Sequence, residues 1–162
     1  MLERVTVTAQ EAADRAFREH GPKLWRSLLA FTGDPELASD AMAEAFAQLL
    51  GRGTAVGSHD RWVWRAAFRI AAGELKDRRR RAPLAAAPGS YEMPELALDL
   101  IHALGALTPN QRAVAVLRLY VDLPTHDVAR TLGIRQATVR VHLSQARRRL
   151  RSMLEETDER PA

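Results

Sequence analysis

The chain contains no cysteine. That removes disulfides, thiolate metal sites and cysteine nucleophiles, and nothing points to an oxidising compartment. Aromatic residues are scarce, at 6% of 162 positions, so each ring needs its own account. No stretch approaches the roughly 18 apolar residues of a membrane span. The charged opening MLERVTVTAQEAADR also lacks an apolar segment of signal length. A cytoplasmic, soluble protein is the expectation. Sustained alternation of apolar and polar residues between hairpin turns is missing, which argues against sheet, and there is no internal repeat. His20, His59, His102, His126 and His142 show neither H-x-x-x-H nor H-x-E spacing, and no P-loop or G-x-G-x-x-G occurs. We therefore expect no catalysis, no metal and no cofactor.

The formal charge is +4 and the pI is near 10.3, carried almost wholly by arginine. Distribution is more informative than the total. KDRRRR (76–81) and the segment from Arg135 to Arg151 are basic, whereas DPELASDAMAE (34–44) and EETDE (155–159) are acidic. The basic excess favours an anionic partner.

Helical signals fill the chain. Thr8 followed by Glu11 fits a capping box, in which each side chain satisfies an amide at a helix start. Phe17, Leu24, Leu28 and Leu29 share a face, with a break or kink expected at His20-Gly21-Pro22 and a stop at Thr32-Gly33. Asp34-Pro35 starts a second helix. There Leu37, Ala41, Met42, Ala45, Phe46 and Leu49 recur at three- and four-residue intervals, while Glu36, Asp40, Glu44 and Gln48 form a stripe on the other side. GRGTAVGSHD (51–60) reads as a loop, and Ser58 as a cap for a third helix running to about Arg80.

APLAAAPGSYEMP (82–94) is a linker of Pro, Ala and Gly, dividing a module at 1–81 from one at 95–162 that ends in a short acidic tail. In the second module a helix begins at Pro94, and Thr108-Pro109-Asn110-Gln111 repeats the capping-box logic. Helices near 125–132 and 136–154 complete it. The expected fold is all α: two small helical domains joined by a flexible linker.

TLGIRQATVRVHLSQARRRL (131–150) has the layout of a helix-turn-helix, with Gly133 accepting the left-handed backbone that ends the first helix. Val128, Leu132, Ile134, Val139, Leu143 and Leu150 supply packing faces. Gln136, Arg140, Val141, Ser144, Gln145 and Arg148 are left facing outward, a width and chemistry suited to a DNA major groove. Arg135, Arg147, Arg149 and Arg151 surround them with positive charge. A merely solvated helix gains from mixing Glu with Arg at i,i+4. No acid occurs between Arg135 and Arg151, so DNA binding is the better account.

These residues resemble region 4 of the sigma-70 class, specifically of extracytoplasmic-function (ECF) sigma factors. Leu107-Thr108-Pro109-Asn110-Gln111-Arg112 is similar to that family's opening L-P/T-P-x-Q-R, Asp127-Val128-Ala129 to its E-I-A, and Leu132-Gly133-Ile134 to its turn. Thr138-Val139-Arg140 with Ala146-Arg147-Arg148-Arg149-Leu150 resembles its recognition helix. The resemblance implies minus-35 promoter contacts by Arg135, Gln136, Thr138, Arg140, Val141, Ser144, Gln145, Arg147, Arg148 and Arg149. Pro124 departs from the family's serine.

The first module resembles region 2. Thr32-Gly33-Asp34-Pro35 and Ala38-Ser39-Asp40-Ala41-Met42-Ala43-Glu44-Ala45-Phe46 are similar to T-G-D and A-E-D-L-V-Q-E-x-F, and Gly57-Ser58-His59 with Trp62-Val63-Trp64-Arg65-Ala66-Ala67 to G-S-F-x-x-W-L-Y-R-I-A. By resemblance, Glu36, Asp40, Glu44 and Gln48 dock on the β′ clamp coiled coil of core RNA polymerase, and the β subunit is also contacted. Arg61, Trp64, Arg65, Phe68, Arg69, Lys76, Arg78 and Arg79 would hold the melted minus-10 strand, with base stacking contributing about 1 to 3 kcal/mol each. Trp62 is assigned to the core. Arg69 stands where the family commonly has asparagine and Gly73 where it has aspartate. The resemblance further implies an anti-sigma factor as partner.

Two other classes compete. A non-sigma helix-turn-helix regulator with an N-terminal interaction domain would not require the acidic helix followed by the Trp-rich basic one. An architectural nucleic-acid protein would leave the acidic helix without a role.

Overall fold

The computed structural model describes residues 8–53, 58–81 and 95–158. The linker at 82–94, residues 54–57 of the glycine-rich loop and the end of the acidic tail lie outside these. All regular structure among the described residues is helical. Helix α1 spans Ala9–Thr32, α2 Pro35–Arg52 and α3 His59–Arg81. Helices α4 (Glu95–Gly105), α5 (Pro109–Ala115), α6 (Thr125–Leu132) and α7 (Gln136–Asp158) follow.

Local chemistry sets most of these boundaries. Thr8 Oγ1 accepts from the Glu11 amide at 3.2 Å while the Glu11 carboxylate accepts from the Thr8 amide at 2.8 Å. These bonds hold the Glu11 carboxyl below its ordinary pKa, the backbone amide first among the causes. Thr108 and Gln111 form the same box at the start of α5. Gly33 and Gly133 end α1 and α6 at φ 69° and 68°, a backbone region that penalises a side chain. Pro124 starts α6 with no side-chain cap, since proline replaces the hydroxyl that could have made one.

Helix α1 is not interrupted at His20-Gly21-Pro22: it continues through Pro22. Proline inside a helix costs about 3 kcal/mol. Leu24 and Leu28 on the far side are wholly buried, and burial of such side chains contributes about 1.5 to 3 kcal/mol each. Continuing the helix carries them into the core. Gly21 is buried where the Phe17 ring lies close to its Cα.

After Ala115 the helix widens into a single π turn, Val116–Tyr120, closed by a Val121 amide to Val116 carbonyl bond of 3.0 Å. The extra residue turns Leu117 fully inward and leaves Leu119 and Tyr120 exposed. Asp122 then takes a left-handed φ of 61°.

Helices α1, α2 and α3 pack on one another, α7 packs on both α5 and α6, and the two sets share one continuous apolar core. Helix α3 lies against α6, and α1 against α4, α5 and the π turn. The joint is centred on Arg112, buried at 8% exposure. Its guanidinium donates to the carbonyls of Leu104 at 2.9 Å, Leu107 at 3.1 Å and Phe31 at 2.9 Å. Phe31 and Leu104 sit in the last turns of α1 and α4, where carbonyls lack intrahelical partners and the helix dipole favours a cation. Burial, with Arg79 nearby, lowers the Arg112 pKa from the ordinary arginine value.

Candidate nucleic-acid and polymerase interfaces

The helix-turn-helix is formed by α6 and α7. The Ile134 amide donates to the Ala129 carbonyl at 3.1 Å beyond the Gly133 cap, fixing the angle at which α7 leaves. Val139 and Ala146 are fully buried, and Leu143 and Leu150 lie half-buried against the core. That seating determines which side of α7 is presented. Arg135, Gln136, Arg140, Val141, Ser144, Gln145, Arg147, Arg148 and Arg149 are exposed, and Thr138 is half-buried. Val141, a large apolar side chain, is 54% exposed, which suits contact with a thymine methyl. Arg140, Ser144, Arg147, Arg148 and Arg151 line one shallow groove on this surface.

Helix α3 differs from expectation at its rings. Trp64 is 7% and Phe68 1% exposed. The Trp64 ring stacks on Phe68 at 6.3 Å between centroids, and Phe68 stacks on Phe31 at 5.3 Å. Neither ring offers an open face to a base, because their stretch of helix turns into the α1–α3 interface beside Ala67 and Ala71. Trp62, assigned to the core, is half-buried at the surface with the Arg52 guanidinium 5.3 Å from its ring centroid. Trp64 is thus a core ring, while Trp62 packs against the core with part of its surface open. Stepping back two residues along a helix turns through about 200°, so neighbouring tryptophans of this spacing cannot share a face.

The cations of α3 fall into two groups. Arg61 and Arg65 open onto a cleft between the two sets of helices, facing Asp127 and Arg130 of α6. Arg69, Lys76 and Arg79 line a second cleft of about 550 Å³, closed opposite by Asn110 and Thr131. Arg78 stands apart, ion-paired with Asp34. Asp34 divides its carboxylate: Oδ1 accepts from the amides of Glu36 and Leu37 at 2.9 and 3.2 Å, and Oδ2 takes Arg78. Arg78 thus ties the end of α3 to the start of α2 and is engaged within the protein.

One cluster has metal-ligating chemistry: Glu19, His20 and Asp60 bring three ligand atoms within 4.8 Å of one another. His20 Nε2 lies 3.2 Å from Asp60 Oδ2, a pairing that needs no ion, and Lys23, Arg61 and Arg65 share its cleft.

The family model for sigma-70 region 4 matches residues 97–150, covering most of α4 to α7. Over 163 aligned positions the chain is 32% identical to the ECF RNA polymerase sigma factor SigL of Mycobacterium tuberculosis, spanning 91% of this chain and 92% of that one. The chain belongs to the ECF RNA polymerase sigma factors. The ECF sigma factor SigE of Mycolicibacterium smegmatis is 26% identical, over 90% of this chain and 63% of its own. Two solved structures share the fold at 19% identity. The sigma factor RpoE in complex with the anti-sigma factor NepR, from Bartonella quintana, has a TM-score of 0.72 over 88% of this chain and 96% of its own. CnrH in complex with the cytosolic domain of CnrY has a TM-score of 0.69 over 91% and 95%.

Within this ECF sigma factor, Glu36, Asp40, Glu44 and Gln48 all project from the exposed side of α2, with the Gln48 amide donating to Glu44 at 2.8 Å. Leu37, Ala41, Ala45 and Leu49 are buried on the opposite side, so the stripe is held in place by the core beneath it. A feature that sequence reasoning missed is an apolar groove between α1, α4, the π turn and α7, bordered by Trp25, Leu29, Leu100, Leu104, Leu119 and Tyr120. Leu100 is 55% exposed. The exposed Leu119-Tyr120 pair is produced by the π turn, which no residue pattern announces. No described helix is long and apolar enough to cross a membrane.

Proposed function

We propose that this alternative sigma factor, which binds core RNA polymerase and directs promoter-specific initiation, reads the minus-35 element with the exposed face of α7. The single observation carrying this reading is the acid-free surface from Arg135 to Arg151, held outward by buried Val139 and Ala146 on a glycine-ended turn. Arg140 on the first two turns would reach base edges, and Arg147 and Arg149 the phosphates. The acidic stripe of α2 would dock on the β′ clamp coiled coil, since an exposed row of one sign suits a basic partner surface. The residues have no catalytic role and need no cofactor, and the protein works in the cytoplasm.

In this reading the melted minus-10 strand follows the cations of α3: Arg61, Arg65, Arg69, Lys76 and Arg79. Helices α5 and α6 overlie them, so the two helical sets separate before the strand is bound. Trp62, beside Arg52, is the ring available for stacking. An anti-sigma partner would lay an apolar helix in the groove between α1 and the π turn; that such a partner exists is supported by RpoE, a sigma factor of the same fold, having been solved with the anti-sigma factor NepR.

The test is to mix the purified chain with core polymerase and a promoter library, then to ask for a stable complex and promoter-specific transcripts. Duplex binding without a polymerase complex would instead identify an ordinary helix-turn-helix regulator.

A further inference from the structure

Gln145 projects from the exposed face of α7, and a relay of hydrogen bonds reaches it from the start of α5. The Thr108 backbone N–H donates to Gln111 Oε1 at 3.2 Å, and Gln111 Nε2 donates to Gln145 Oε1 at 3.0 Å. The direction of every bond is forced. A backbone N–H is a donor and nothing else, so the Gln111 amide must turn its oxygen toward Thr108. Its nitrogen, also only a donor, then faces Gln145, which must answer with its oxygen. The Gln145 Nε2 amino group is left pointing away, without a protein partner among the described residues.

A free glutamine can turn either pole outward and reads adenine through a donor and an acceptor together. Gln145 is fixed one way round, because the bond from Gln111 turns its oxygen inward and leaves the amino group outermost. We propose that Gln111 is a positioning residue for promoter recognition: it orients Gln145 so that α7 presents the amide's donor end outward at this point. The DNA group that fits is an acceptor oxygen or nitrogen, either the guanine or thymine edge or a phosphate, and adenine and cytosine amino groups are disfavoured. The proposal rests on the reading that α7 enters the groove.

Gln111→Glu tests it without dismantling the fold. Glutamate serves the capping box as well as glutamine, and one carboxylate oxygen still accepts from the Thr108 amide. The other can only accept, so Gln145 must turn its amino group inward and its oxygen outward. The variant, Gln145→Ala, the double variant and Arg140→Ala would be compared as full chains in polymerase holoenzyme, against promoters carrying each base at each minus-35 position. The side-chain amide signals of Gln145 would be followed by NMR in the free protein.

We expect Gln111→Glu to shift the Gln145 amide signals and to move preference at one position from G or T toward A or C, by about ten-fold. Gln145→Ala should abolish that preference and make the second substitution silent. A uniform loss on all promoters that also vanishes in the Gln145→Ala background would identify the acceptor as a phosphate and equally support the oriented amide. Unmoved amide signals, or an effect of Gln111→Glu that persists without Gln145, would overturn the relay. Moved signals with no change in promoter affinity for any of the variants, Arg140→Ala included, would overturn the groove reading and the proposal with it.

Discussion

The Arg112 guanidinium donates to the carbonyl oxygen of Phe31 at 2.9 Å, joining residues 81 positions apart in the chain. This bond fastens the second set of helices to the first, and it does so through a carbonyl that α1 cannot itself satisfy. Arg112→Met should lower stability by about 3 kcal/mol, because buried carbonyls lose a charged donor. It should also lengthen the distance between labels on α3 and α6 and strengthen binding of single-stranded minus-10 DNA to the free chain. Denaturant unfolding, energy transfer and strand titration would measure the three. Destabilisation with an unchanged label distance would mean that Arg112 serves its own helices alone.

The tryptophans of α3 should separate cleanly. Trp64→Ala removes a buried ring and should cost about 3 to 5 kcal/mol. Trp62→Ala removes a half-buried ring packed on the core and should cost less than Trp64→Ala, about 1 to 2 kcal/mol, yet slow open-complex formation. Thermal melts and a promoter-opening assay on both variants decide which ring meets DNA.

On α2, Asp40→Lys with Glu44→Lys reverses two exposed charges over an intact core. Stability should change by less than about 1 kcal/mol, while affinity for core polymerase falls at least ten-fold. Retained affinity would show that the acidic stripe is only a solvated face.

For α7, Arg140→Ala should flatten base preference at one or two minus-35 positions. Arg147→Ala should weaken every duplex alike and reduce the log-log salt slope by about 0.9. A titration series at several salt concentrations on single-base promoter variants distinguishes the two. Identical behaviour would make Arg140 another phosphate contact.

At the start of α1, the depressed pKa of Glu11 makes a contribution that is complete above the ordinary carboxylate pKa of 4.5 and disappears as pH falls through the lower folded value. Amide exchange in the first turn of α1 should accelerate over that interval, and Glu11→Gln, which keeps an acceptor for the Thr8 amide, should remove the pH dependence.

The parts of this fold that could be read from the chain are those whose causes lie within a few residues. Thr8 with Glu11, Thr108 with Gln111, and Gly33 and Gly133 all act over four positions or fewer, and each appears where its pattern placed it. The exposed row from Glu36 to Gln48 was legible because the apolar residues between its members left it one side of the helix. Other features depend on distant neighbours. Arg112 stood in a family-like motif, but its bond to Phe31 is invisible until α1 and α5 are brought together. Arg78 belonged to a basic run and proved to be the partner of Asp34. Trp62 and Trp64 differ only in which side of α3 faces α1, which packing settles. Pro22 reads as an interruption until the burial of Leu24 and Leu28 is weighed against it.

Among the described residues, no ion pair crosses between the two sets of helices: the joint holds apolar contacts, the Arg112 bonds to carbonyls, the Arg26 bond to the Tyr120 hydroxyl at 2.9 Å and the Lys23 ammonium 5.8 Å from the Tyr120 ring centroid, with Arg79 near Arg112. Contacts of that kind are little screened by dissolved ions, whereas affinity for nucleic acid falls steeply as salt rises. Added salt therefore weakens nucleic-acid binding more than it loosens this joint.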